Sequence, residues 1–146
     1  MAWRMPAETA PHERTWMAFP REGFTLGDSA SEREEGYATW TAVAHAVAEF
    51  EPVSMLVDPT ELHRARRMLG ETIDIVETPV DEFWMRDAGP TFVLDPERPR
   101  TLGAVDWIFN GWGAPEWASW EKAAEHARFT AGLVGAEVLS SLLVNE

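Results

Sequence analysis

Phe83-Trp84-Met85-Arg86-Asp87-Ala88-Gly89-Pro90 sets a tryptophan and a carboxylate three residues apart, next to a Gly-Pro break. A buried carboxylate beside a flat indole is what a site needs to hold a planar cation such as a guanidinium. The carboxylate accepts paired N–H donors, and the indole face attracts the positive charge. The residues alone support a plainer reading equally well: Trp84 fills the core at a strand end, and Asp87 caps the turn before Gly89-Pro90. A second aromatic, glycine-rich stretch follows, Asp106-Trp107-Ile108-Phe109-Asn110-Gly111-Trp112-Gly113. There too, aromatic packing around a glycine turn accounts for the pattern without chemistry.

Outward from these stretches the chain alternates between strands and helices. Residues 15–19, closed by Pro20, predict a strand. Residues 31–50 predict an amphipathic helix capped by Ser31, because Tyr37, Trp40, Val43, Ala44, Val47 and Phe50 recur at three- and four-residue steps. A strand over 53–57 follows. Asp58-Pro59 then opens a second helix, with proline at the position that suits it, running through Leu62, Ala65, Met68 and Leu69 to a stop at Gly70. Strands are expected over 73–76, 91–94 and 102–107, with a turn-rich connection at 95–100. Residues 117–133 predict a third helix, and 138–144 a last strand still running near the end of the sequence. The pattern is that of an α/β protein without a linker. It permits either a doubly wound sheet or a radial array of small modules.

Composition narrows the function classes. Hydrophobic residues make up 45% of the 146 and charged residues 25%, the balance of a soluble globular domain. No apolar run approaches the roughly 20 residues needed to span a bilayer, and residues 1–11 lack the apolar core of a secretory signal. A cytoplasmic location is the default expectation. There is no cysteine, which excludes a disulfide framework and any cysteine-ligated metal within the sequence. His12, His45, His63 and His126 lie far apart, with no partner at metal-ligand spacing. Neither a phosphate-binding glycine loop nor a Gly-x-Ser-x-Gly elbow is present. The net charge of −13 argues against nucleic acid as a partner. It suits a small cationic substrate, although acidity for solubility explains it more simply.

Taken together, Pro11-His12-Glu13-Arg14-Thr15-Trp16-Met17-Ala18-Phe19-Pro20, residues 82–92 and residues 106–113 resemble, in order and spacing, the N-terminal half of agmatine deiminases. Those enzymes group with the bacterial-type peptidylarginine deiminases in the guanidino-group-modifying superfamily. The resemblance covers essentially the whole chain. It implies an α/β propeller (pentein) of five ββαβ-type modules around a pseudo-fivefold axis, with the active site on the axis. Residues 1–146 would then be the N-terminal portion of a single propeller domain truncated at Glu146, holding the first two modules and the opening of the third.

The resemblance also implies a chemistry, the conversion of agmatine to N-carbamoylputrescine and ammonia on the route to putrescine. A cysteine thiolate attacks the guanidinium carbon, ammonia leaves, and water hydrolyses the covalent adduct, with a histidine as acid and base. No metal or organic cofactor is required. Carried over by position, Asp87 is the carboxylate that bridges two guanidinium nitrogens, and Trp84 the aromatic wall against the substrate. Glu146 is a second catalytic carboxylate. Arg86, Asn110 and Trp112 shape the site, Arg86 by supporting carboxylates. The nucleophilic cysteine and catalytic histidine fall outside this chain, which alone is expected to be inactive. Peptidylarginine deiminase activity and a non-catalytic truncated remnant are the alternatives, and a homo-oligomer is compatible with either. An exposed last strand would be an association risk.

Overall fold

The computed structural model describes residues 3–144. They form two three-stranded sheets. The first is wholly parallel, in the order β1 (Thr15–Ala18), β2 (Val53–Val57), β3 (Asp74–Glu77). Every residue of the central strand Val-Ser-Met-Leu-Val is buried. A continuous apolar run is what a parallel strand covered on both faces requires. The crossovers are α1 (Ala30–Ala48) and α2 (Leu62–Leu69). Tyr37 and Ala44 from α1, and Ala65 and Leu69 from α2, pack with Phe19, Met55, Leu56 and Val57 into the main core.

Helix α1 begins before Ser31. Its cap is Ser29, whose Oγ accepts from the Glu32 N–H at 3.2 Å while Glu32 Oε2 accepts from the Ser29 N–H at 2.9 Å. That reciprocal pair satisfies two donors of the helix end. Phe50 falls beyond the helix and is 88% exposed, so it does not belong to the apolar face. The second helix opens as expected at Asp58-Pro59, but through a 3-10 turn, Pro59–Glu61, before α2. Gly70, at φ 64°, ends it in the left-handed region glycine tolerates.

The second sheet is a ββαβ unit. Strands β4 (Thr91–Leu94) and β5 (Leu102–Ile108) pair antiparallel, and β6 (Glu137–Val144) returns parallel to β5 after α4 (His126–Val134). The last strand therefore closes the second sheet and does not open a third module. Among the described residues there are two sheets. The free edge of β4 is covered by the N-terminal segment, where Arg4 and Leu94 exchange two backbone hydrogen bonds at 2.9 and 2.8 Å. The other edge strand, β6, leaves Leu142 94% exposed.

The third helix is shorter than the periodicity of residues 117–133 predicts. Residues 117–122 are turn and irregular backbone, a 3-10 turn follows at Ala123–Glu125, and α4 starts only at His126. Helical pattern loses here to aromatic packing: the Trp120 ring lies directly over Gly111, where an added Cβ would come within 2.6 Å of it. Among the described residues no helix is long and apolar enough to cross a membrane.

Candidate active site

Between the two sheets lies a single helical turn, α3 (Met85–Ala88), packed against β1, α4 and the Ala123–Glu125 turn. It replaces the strand end that Phe83-Trp84 suggests. The Asp87 and Ala88 N–H groups both donate to the Trp84 carbonyl at 3.0 Å, and Gly89 N–H donates to the Met85 carbonyl at 2.9 Å. Only glycine fits at position 89, because a Cβ there would lie 2.4 Å from the Met85 carbonyl oxygen. Trp84 stands just before the turn, and the Asp87 N–H on its carbonyl draws the two backbones together, which an extended strand would not.

Trp84 is partly exposed at 39% and Asp87 half-buried. The Trp84 indole stacks on Phe83, centroids 5.4 Å apart at 26°, and meets Trp40 of α1 edge-on at 5.2 Å and 83°. Trp16, Trp40, Phe83, Trp84, Met85 and Arg86 line an aromatic cavity of about 190 Å³ with Met17 and Ala18. Arg86 is exposed, and its Nη2 reaches Glu8 Oε1 at 3.2 Å. The carboxylate it meets thus belongs to the N-terminal segment.

Asn110 and Trp112 occupy the loop after β5. Asn110 Oδ1 accepts from the Gly113 N–H at 2.9 Å, and its carbonyl from the Ala114 N–H at 2.8 Å. This holds four consecutive left-handed residues, Gly111, Trp112, Gly113 and Ala114, at φ 62°, 60°, 94° and 54°. Two of them are not glycine and carry the strain of that region, of order 1 kcal/mol each. Trp112 packs edge-on against Phe109, and with Trp120 it covers the small cluster of Ala88, Phe109 and Ala123. Ala88 belongs to α3, so the two sequence stretches meet through it. Glu146 lies outside the described residues.

The sequence reading missed the residues that fix α3 in place. Asp81 Oδ1 accepts from the N–H groups of Glu82 (2.9 Å) and Ala123 (2.8 Å), and Oδ2 from that of Lys122 (2.9 Å). Glu82, buried, accepts from Thr25 Oγ1 at 2.7 Å, while its Oε2 has no partner. Burial, with Asp81 adding to it, holds the Glu82 carboxyl above the usual carboxylate range. Asp58 accepts from the Thr60 and Val80 N–H groups at 3.0 and 2.9 Å. Its burial opposes ionisation, but those hydrogen bonds and Arg21 outweigh it, and the carboxyl lies below its ordinary value. His126 is buried, donates from Nε2 to the Pro79 carbonyl at 3.2 Å, and is held below the usual imidazole value by that burial. The partners that tie these side chains to other elements lie 22 to 57 residues away, out of reach of any local pattern. Among the described residues no group of three His, Cys, Asp or Glu side chains is placed to hold a metal ion.

Two sheets of this make, with a short helical turn between them, match the α/β propeller, or pentein, class of the solved structures they resemble. The solved agmatine deiminase of Enterococcus faecalis superposes at a TM-score of 0.86 with 26% identity, over 96% of this chain and 38% of that one. The profile of Porphyromonas-type peptidyl-arginine deiminases matches residues 4–146, and the chain belongs to that family. A Streptomyces coelicolor relative is 54% identical over 146 residues, 100% of this chain and 42% of its own length. The agmatine deiminase of Stutzerimonas stutzeri is 41% identical over 128 residues, 85% of this chain and 33% of its own length. The chain thus spans less than half the length of these relatives.

Proposed function

We propose that these residues are the substrate-gripping N-terminal part of an agmatine deiminase, which hydrolyses agmatine to N-carbamoylputrescine and ammonia. The observation that carries the reading is Trp84 lining an aromatic cavity at the start of the turn that holds Asp87, whose N–H is bound to the Trp84 carbonyl. Asp87 accepts two guanidinium N–H donors and keeps the cation in register, and the Trp84 face lies against its plane. Glu146 supplies a second carboxylate, and Arg86, Asn110 and Trp112 shape the surround. Sequence outside these 146 residues, which contain no cysteine, supplies the thiolate and the catalytic histidine.

The thiolate forms a bond to the guanidinium carbon, and the bond to one terminal nitrogen breaks as histidine delivers a proton and ammonia leaves. Water then adds to the same carbon, the C–S bond breaks, and the ureido product departs with the thiolate restored. The reading extends to a cytoplasmic location, a homo-oligomeric assembly and no nucleic-acid partner. The family's name favours peptidylarginine as a second substrate class; citrulline formed from an arginine peptide faster than ammonia from agmatine would decide for it.

The test uses the protein expressed from its complete coding sequence. Agmatine-dependent ammonia release is expected, and Asp87→Ala should lower kcat/KM about 1000-fold, the scale on which loss of a charged contact at a reacting group is felt. The urea midpoint should hold. Turnover by Asp87→Ala within tenfold of the parent would reject the role given to Asp87. A parent silent on both substrates would favour the non-catalytic remnant.

A further inference from the structure

Trp40 has an environment that packing alone does not require. Its Nε1–H donates to the Ala18 carbonyl at 2.9 Å, which ties α1 to the last residue of β1. The same indole stands edge-on to Phe83 (4.9 Å, 85°) and to Trp84 (5.2 Å, 83°). Phe83 and Trp84 are themselves nearly parallel, at 26°. Standing perpendicular to two nearly parallel rings at about 5 Å restricts the Trp40 ring, and the hydrogen bond to Ala18 anchors its remaining rotation. A tilt of Trp84 would break its edge contact, its stack, or both. Such contacts are geometrically selective because the ring face is negative and the edge positive.

We infer that Trp40 is a positioning residue that sets the plane of the Trp84 indole against the substrate's guanidinium. This rests on the reading of Trp84 as the substrate wall. Trp40 touches no reacting atom; it acts through Trp84. The attraction between a cation and an aromatic ring depends on the cation lying over the face. An indole free to tilt presents its face for only part of the time.

The experiment is a double-mutant cycle on the protein expressed from its complete coding sequence, with Trp40→Leu, Trp84→Leu and the pair. Trp40→Leu should raise KM for agmatine about 10-fold and leave kcat within about twofold. The double variant should be no worse than Trp84→Leu alone, because the second change removes what Trp40 acts on. Trp40→Phe, which keeps an aromatic edge but loses the N–H anchor, should recover part of the KM loss and covers the case in which Trp40→Leu does not fold. KM effects that add across the cycle, or an unchanged KM in Trp40→Leu, would overturn the proposal.

A second measurement is independent of activity. In protein labelled with 5-fluorotryptophan, the Trp84 fluorine resonance, assigned through Trp84→Phe, should move toward its random-coil position in Trp40→Leu and less so in Trp40→Phe. A resonance that stays in place overturns the positioning role. If the resonance shifts in Trp40→Leu but the parent does not turn over agmatine, the functional reading is refuted, and only the fixing of the Trp84 plane by Trp40 stands.

Discussion

Asp81 holds the second sheet's helix to the stem of the candidate site, and removing it should be felt in stability before anything else. The 3-10 turn at Ala123–Glu125 has no side-chain cap of its own. Its first N–H groups, on Lys122 and Ala123, are met at 2.9 and 2.8 Å by a carboxylate 41 and 42 residues earlier in the chain. The same carboxylate takes the Glu82 N–H at 2.9 Å, two residues before Trp84. A lost cap costs typically ~1 kcal/mol. A third charge-assisted bond, and the negative charge at a helix start, bring the expected loss for Asp81→Ala to about 2 kcal/mol.

Asp81→Asn separates geometry from charge. Its remaining oxygen at the Oδ1 position still accepts from Glu82 and Ala123, but the amide nitrogen faces the Lys122 N–H, donor against donor. About half of the Ala loss, ~1 kcal/mol, should follow. The assay is equilibrium urea unfolding of the protein expressed from its complete coding sequence, read as a midpoint shift at constant slope. Asp81→Ala within about 0.5 kcal/mol of the parent, or Asp81→Asn more destabilised than Asp81→Ala, would refute the cap.

Three more predictions concern the buried groups. The folded Glu82 carboxyl titrates above its ordinary 4.5 because burial disfavours the charge. Its contribution is therefore complete below pH 4.5 and lost as pH rises through the raised folded value; in urea midpoints, Glu82→Gln should gain on the parent across that window. His126 is the opposite case, shifted below 6.5 by burial. Its contribution is complete above pH 6.5 and lost as pH falls through the lowered value, so His126→Gln should flatten the acid side of the stability curve. Tyr37→Phe removes the buried hydroxyl that donates to Glu61 Oε1 at 2.9 Å and should cost about 1–2 kcal/mol by thermal unfolding, without altering substrate KM.

What the sequence makes legible is what short-range physics decides. The strand over 53–57 is apolar at nearly every position, and 91–94 is bounded by Pro90 and an Asp-Pro turn; both appear with the expected limits. The second helix stops where Gly70 must stop it. The misses come where a distant group outbids a local pattern. Residues 117–122 have helical spacing, yet Trp120 is held over Gly111, and helical backbone begins only at the 3-10 turn whose first N–H groups Asp81 accepts. Ser31 and Ser29 each stand three positions before a glutamate, so spacing cannot choose between them; Ser29 and Glu32 make the reciprocal pair, while Glu34 accepts from Arg64, 30 residues on.

The candidate site follows the same division. Trp84 and Asp87 could be named as a pair from their spacing, but spacing alone left a strand end as plausible as a site. The helical turn replaces the strand end, and Gly89 permits it by admitting the Met85 carbonyl where any Cβ would collide. Trp40 could be read only as one position of a helix face, and Asp81 not at all, since their further contacts span 44 and 41 residues. A binding site in general needs both kinds of residue, the one that meets the ligand and the one that holds the first still. Sequence motifs expose the former because ligand chemistry fixes their identity, and they hide the latter because only packing does.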